Sequence, residues 1–131
     1  RTEVLALSPQ LGAIRTVQRM TRLVQIMIHD VLDAYVTRDA VKANQVRLRD
    51  EEVDALHTSL FRELLTYMME DPRNIAACTH MLFITKNIER IGDHATNIAE
   101  NVHFLVNGEM PREDRPKGDA SVYVMDGILD I

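Results

Sequence analysis

The sequence predicts an all-α fold, an up-down-up antiparallel three-helix bundle with long helices. Its apolar content lies in leucine, isoleucine, valine, methionine and alanine, with 5% aromatic residues and no tryptophan. That mixture suits helix packing better than packed strands. Apolar positions recur at steps of three and four through three stretches of about 28 to 35 residues. The links between the stretches are so short that successive helices must be antiparallel neighbours. With 131 residues, 46% of them hydrophobic, the chain is long enough for one core and too short for two.

Helix one is predicted to open at Ser8-Pro9, with serine as N-cap and proline at the first helical position, where a missing N–H costs nothing. Ala13, Val17, Met20, Val24, Met27, Val31 and Leu32 form its apolar stripe, and Arg15, Arg19 and Arg22 lie on a different face as a solvated stripe pairing with acidic neighbours. Thr37-Arg38-Asp39 makes a short break. Val46, Val53, Leu56, Leu60, Leu64 and Met68 define helix two, which ends near Glu70. Asp71-Pro72 repeats the cap-then-proline pattern and opens helix three, which stops at Asn107-Gly108. Its predicted core seam is Ile84, Ile88, Ile91, Ala95, Ile98, Val102 and Leu105. Residues 1–8 are read as an N-terminal extension, 9–108 as the bundle and 109–131 as an exposed, proline-rich and charged tail in which Ser121 to Met125 has strand character. Since the chain begins at Arg1 with no signal peptide ahead of it, it reads as a piece of something longer.

A net charge of −5 argues against a nucleic-acid binder, which carries a basic surface, and points to cations or a basic partner. The single Cys78 cannot form an internal disulfide and reads as a buried thiol in a reducing cytosol. No apolar run approaches the roughly 18 residues of a membrane span. No phosphate-cradling glycine loop and no serine, histidine and aspartate arrangement is evident, so the protein is read as a non-enzyme.

On helix three, Glu89, Asp93, Asn97 and Glu100 fall at steps of four, four and three, in a line facing away from the isoleucine seam. Like charges four apart cost a helix roughly 0.2–0.5 kcal/mol per pair, so the line needs neutralising, by Lys86 or by something bound. Helix two carries D-E-E-V-D, with Asp50 and Asp54 also four apart. Folding the two helices as a tight hairpin about Asp71-Pro72 brings Asp54 level with Glu89 and Asp50 level with Asp93 on one external face. A bound hard cation would reverse the repulsion among them. Oxygen ligands favour magnesium, calcium, manganese or ferric iron over zinc, although His57, three after Asp54, tilts the set toward a transition metal. Gly92, inside a helix at a cost of about 1 kcal/mol, marks a close approach by a neighbouring helix or a partner.

The string I-E-R-I-G-D-H-A-T-N-I-A-E, with D-E-E-V-D on the preceding helix, resembles the PhoU family over about residues 9 to 115. The resemblance implies a tandem pair of three-helix bundles, of which this chain looks like the C-terminal one. It also implies a surface cluster of metal ions, iron, manganese or magnesium and possibly multinuclear, on the residues matching the family's motifs: Asp50, Asp54, Glu89 and Asp93, with Asn97 one turn beyond. The implied role is that of a cytoplasmic negative regulator of phosphate uptake and phosphate-starvation signalling. Its implied partners are a sensor histidine kinase and the phosphate ABC transporter, and a homo-oligomer, first of all a dimer, is expected. The tail after Lys117 does not match the family pattern.

Two other readings remain open. A ferritin-like di-iron carboxylate protein is suggested by Glu100-x-x-His103 and Asp54-x-x-His57, but needs inward-pointing ligands and a fourth helix. A purely structural oligomerisation bundle would leave the carboxylates incidental. His103 reads as a solvated residue, and His29, His80 and His94 as partly buried or interfacial ones.

Overall fold

The computed structural model describes the backbone of residues 2–108 and the side chains of residues 11–108. Three long helices, α1 (Thr2–Thr37), α2 (Ala40–Glu70) and α3 (Ile75–Asn107), each pack against both of the others, and a 3₁₀ turn at Pro72–Asn74 leads into α3. No strand occurs among the described residues. The read tail and its strand-like stretch lie outside them.

Both connections are built from local chemistry. Arg38 closes α1 in the left-handed conformation, φ 58°, and the Asp39 N–H reaches back to the Ala34 carbonyl at 3.0 Å, a Schellman-type ending. Asp39 then caps α2, accepting from the Lys42 N–H at 3.0 Å. At the second turn Asp71 accepts from the Arg73 N–H at 2.9 Å and from its guanidinium at 2.8 Å. That contact holds the Asp71 carboxyl below its ordinary range. Gly108 ends α3 with φ 76°, its N–H donating to the Phe104 carbonyl at 2.7 Å.

The start of α1 differs from the sequence expectation. The helix begins at Thr2 and runs through Ser8-Pro9 instead of opening there. An interior proline costs one helical hydrogen bond and crowds the carbonyl one turn upstream, but Glu3, Leu5, Ala6 and Leu7 ahead of it are good helix formers.

The core is a stack of medium and small side chains: Ala13, Met20, Val24, Met27, Val31 and Ala34 from α1, Ala43, Val46, Val53, Leu60 and Leu64 from α2, and Cys78, Ala95, Ala99 and Val102 from α3. Val17, Leu56, Met68, Ile88 and Ile98 pack against it half-buried. Leu32, expected inside, is 54% exposed. Cys78 is buried, as the sequence reading expected, and burial pushes its thiol above its ordinary pKa.

The rotation of α3 is the main correction. Ile84, Ile91 and Leu105 are exposed, and the inward stripe runs through Thr85, Glu89, Gly92, Thr96 and Ala99, with Ala95 and Val102 beside it. Small residues on that stripe let α3 settle close to α1 and α2. The two threonines satisfy their hydroxyls within the helix, Thr96 on the Gly92 carbonyl and Thr85 on the Leu82 carbonyl, both at 3.0 Å, so they enter the core without an orphaned donor.

Candidate functional site

The carboxylates expected on an outward face do not lie outside. Asp50 is 1% exposed and Glu89 5% exposed, both drawn into the contact between α2 and α3, while Asp54, Asp93 and Asn97 are half-buried along the same edges. The separation of core from carboxylates read in the sequence is therefore overturned. The reason is the rotation of α3, which places Glu89 on the stripe occupied by Thr85 and Gly92.

The hairpin register is close to the one counted from the turn. Gly92 sits opposite Asp50, where a methyl group on Gly92 would stand 3.1 Å from Asp50 Oδ1, 3.7 Å from Val24 and 3.9 Å from Met27. The close approach expected at this glycine is present, and all three helices share in it. One turn nearer the connection, His57 Nε2 lies 4.0 Å from Glu89 Oε2. Lys86 Nζ donates to Glu89 Oε1 at 3.0 Å, supplying the countercharge that the spacing predicted. The Lys86 side chain stays partly exposed, while that of Glu89 is nearly buried. His57 Nδ1 is buried with no hydrogen-bond partner among the described residues.

Beyond His57 the same α2–α3 face turns apolar. An open groove of about 520 Å³ runs between the helices, lined by His57, Thr58, Phe61, Thr79, Leu82, Phe83 and Lys86. Phe61 and Phe83 are exposed in it. Heptad counting on the core seams missed this groove; the aromatic residues at 61 and 83, outside both seams, are the signal that marks it.

The donor chemistry of Asp50, Asp54, Glu89, Asp93 and Asn97, carboxylate and amide oxygens on facing edges, fits a hard cation. The side chains as they stand are not gathered for one: among the described residues no three His, Cys, Asp or Glu side chains converge to hold a metal ion, and Glu89 is engaged by Lys86. Glu100 and His103, the pair that suggested a di-iron protein, are each half-buried. Arg19 pairs with Glu52 at 3.0 Å across two exposed side chains, and Arg15 and Arg22 are exposed, as the solvated-stripe reading held. His29, His80 and His94, expected to be partly buried, are exposed.

The family model for the PhoU domain matches residues 17–102. Among curated proteins, the phosphate-specific transport system accessory protein PhoU homolog of Rhizobium meliloti is 58% identical over 105 residues, covering 80% of this chain and 44% of that protein. The Caulobacter vibrioides homolog is 58% identical over 111 residues, covering 85% of this chain and 48% of its own length. The homolog of Xylella fastidiosa is 48% identical over 131 residues, which is 99% of this chain and 55% of that protein. That last alignment carries the likeness past Lys117, so the tail does have a counterpart in a relative. The chain spans about half the length of the curated relatives it matches. No described helix is long and apolar enough to cross a membrane. With a domain match over well more than half of its residues, and with the Asp50–Asp54 and Glu89–Asp93 motifs on facing helices, the chain belongs to the PhoU family.

Proposed function

We propose that the chain is a non-enzymatic regulator of phosphate transport, a C-terminal PhoU repeat that restrains phosphate uptake and phosphate-starvation signalling from the cytoplasmic side. It works by docking, on a phosphate ABC transporter and on a sensor histidine kinase. The observation that carries this reading is the likeness to proteins named as accessory to phosphate-specific transport, at 58% identity across the helices that hold the acidic motifs. The α2–α3 face supports it in physical terms, because it combines carboxylates and an apolar groove along one surface.

Asp50, Asp54, Glu89, Asp93 and Asn97 are the residues that would hold a cation on this face. A bound divalent or trivalent ion supplies positive charge between α2 and α3. Taking carboxylates out of water is costly unless charge or hydrogen bonds compensate, and Lys86 already meets that need at Glu89. An ion drawn to Glu89 would share that carboxylate with Lys86, which couples the position of that lysine, in the lining of the groove, to the state of the acidic edge.

Two measurements test the reading. Elemental analysis of protein purified without a chelating column is expected to find iron, manganese or magnesium in stoichiometric amount, lost in Glu89→Ala/Asp93→Ala with helicity retained. Metal-free wild type after incubation with those ions would remove the cation from the proposal. In a bacterium lacking its own PhoU, the chain is expected to silence a phosphate-starvation promoter at high phosphate; persistent induction, with the protein present and folded, would remove the regulatory role.

A further inference from the structure

The α2–α3 face changes character along its length. Toward the Asp71 connection it is apolar: Phe83 is 68% exposed, Phe61 43% and Leu65, seven residues on from Thr58, 38%. Thr79, Lys86, Asp93 and Glu100 stand seven apart and so share one edge of α3. From the Asp71 end toward Gly108 the face therefore runs from apolar to basic at Lys86, and then to acidic at Asp93 and Glu100. The segment after Gly108 carries the complementary order for a chain coming back the other way. Arg112 and Arg115 come first, then Asp119, then the apolar run Val122, Tyr123, Val124 and Met125.

We infer that this segment turns back along the α2–α3 face of its own chain and lays Val122 to Met125 along the groove. Three arguments select it as the occupant. It is long enough: Lys86 lies about 33 Å along α3 from Gly108, and residues 109–119 span up to about 36 Å. Pro111 and Pro116 favour an extended linker, and valine and tyrosine favour an extended run after it. Its charges also fall in register. With Asp119 beside Lys86, Arg115 and Arg112 come within about 2 Å of the levels of Asp93 and Glu100, while Glu113, Asp114 and Lys117 have no counterpart in this register. Finally, its apolar run follows where the face is apolar, past Thr79 and over Leu65. The edge of α3 at Ile84, Ile91, Ile98 and Leu105 offers apolar surface at the same heights but no charged group in that line. Because a tethered segment acts at an effective concentration on the order of a millimolar, a contact with a Kd of about 1 mM fills the groove about half the time. A partner using this face has then to displace the segment; that consequence rests on the docking reading, and the contact itself does not.

Disulfide trapping in the full chain tests the placement. In a Cys78→Ala background, Ser121→Cys with Phe83→Cys is expected to close an intramolecular disulfide on mild oxidation. Its yield should be about tenfold above that of Ser121→Cys with Ile84→Cys, which stands at the same height on the other edge. Arg112→Glu/Arg115→Glu should lower the yield severalfold, and circular dichroism checks that each variant stays helical. A second readout leaves Cys78 in place: Phe83→Trp, the only tryptophan in its chain, is expected to emit further to the blue and to be quenched less by acrylamide than the same residue with Val122→Asp/Val124→Asp added. Equal yields at Phe83 and Ile84, or a yield indifferent to Arg112→Glu/Arg115→Glu, overturn the inference. So does a crosslinked product with twice the chain's mass at high dilution, since the segment would then belong to a second copy, and so does tryptophan emission that ignores the tail substitutions. None of these results bears on the metal content or the promoter assay, so the two proposals fail separately.

Discussion

Along α3, the edge turned to α2 carries Lys86, Asp93 and Asn97, with Glu89 where that edge meets the core, whereas the edge turned to α1 carries Ile84, Ile91, Ile98 and Leu105. The stripe between them, which enters the core, is made of Thr85, Gly92, Thr96 and Ala99. A hydrophobicity count ranks the isoleucine edge as the core, and the fold instead buries the stripe of small residues. The difference teaches that in a tight three-helix contact the deciding quantity is side-chain volume. On α3 small residues let the backbones approach, while Ile84, Ile91 and Leu105 stand at the rim.

That contrast can be broken most severely at Gly92. Replacing it with leucine puts a branched side chain where even a methyl carbon meets Asp50 Oδ1 at 3.1 Å, and about 3 kcal/mol of stability should be lost, read from the urea midpoint. A loss under about 0.5 kcal/mol would mean that α3 does not pack closely here. A smaller effect is expected from Lys86→Met, which keeps the stem and removes the countercharge of the nearly buried Glu89. About 1 kcal/mol should go, discounted from a fully buried pair because the Lys86 side chain is itself partly exposed. Lys86→Arg should recover most of it, and equal stability of wild type and methionine variant would show the pair to be incidental. The smallest effect belongs to Ile91→Ala. On the monomer, measured where dilution has removed any association, it should stay within about 0.5 kcal/mol in spite of the three carbons deleted. A loss of 2 kcal/mol or more would restore Ile91 to the core.

What could be read from the sequence was mostly what depends on neighbours in the chain. The break at Arg38-Asp39, the cap at Asp71 and the stop at Gly108 follow from one or two residues each, and all three stand where those residues put them. The hairpin register followed as well, because a short link leaves little to choose: Gly92 opposite Asp50, next to the expected Asp93, is a count of residues from the turn. The rotation of α3 was not legible, since both of its stripes satisfy the helical period and only three-way packing chooses between them. Nor was the burial of Glu89, which depends on Lys86 donating from the groove side. Ser8-Pro9 misled for a different reason: its grammar is that of a helix start, and nothing within those two residues reports that Thr2 to Leu7 is helical too. For the acidic residues the helix each stands on was legible, Asp50 and Asp54 on α2 and Glu89, Asp93 and Asn97 on α3, but not the depth at which they lie.

The two connections, Arg38-Asp39 and Asp71 with its 3₁₀ turn, bear on how such a chain can change over generations. Each is so short that adding one residue cannot be absorbed as slack; it must advance the following helix by 1.5 Å and turn it by 100°. Turned so, α3 would carry Lys86 and Glu89 together away from His57 on α2 and swing Ile91 toward the interior in a single step. Substitutions can adjust either edge of α3 one residue at a time, while a gain or loss of length at Asp71–Asn74 exchanges the roles of both edges together. Variation in length is therefore expected to accumulate away from these links, and a family member that does differ there should carry its acidic motif shifted by the same number of residues.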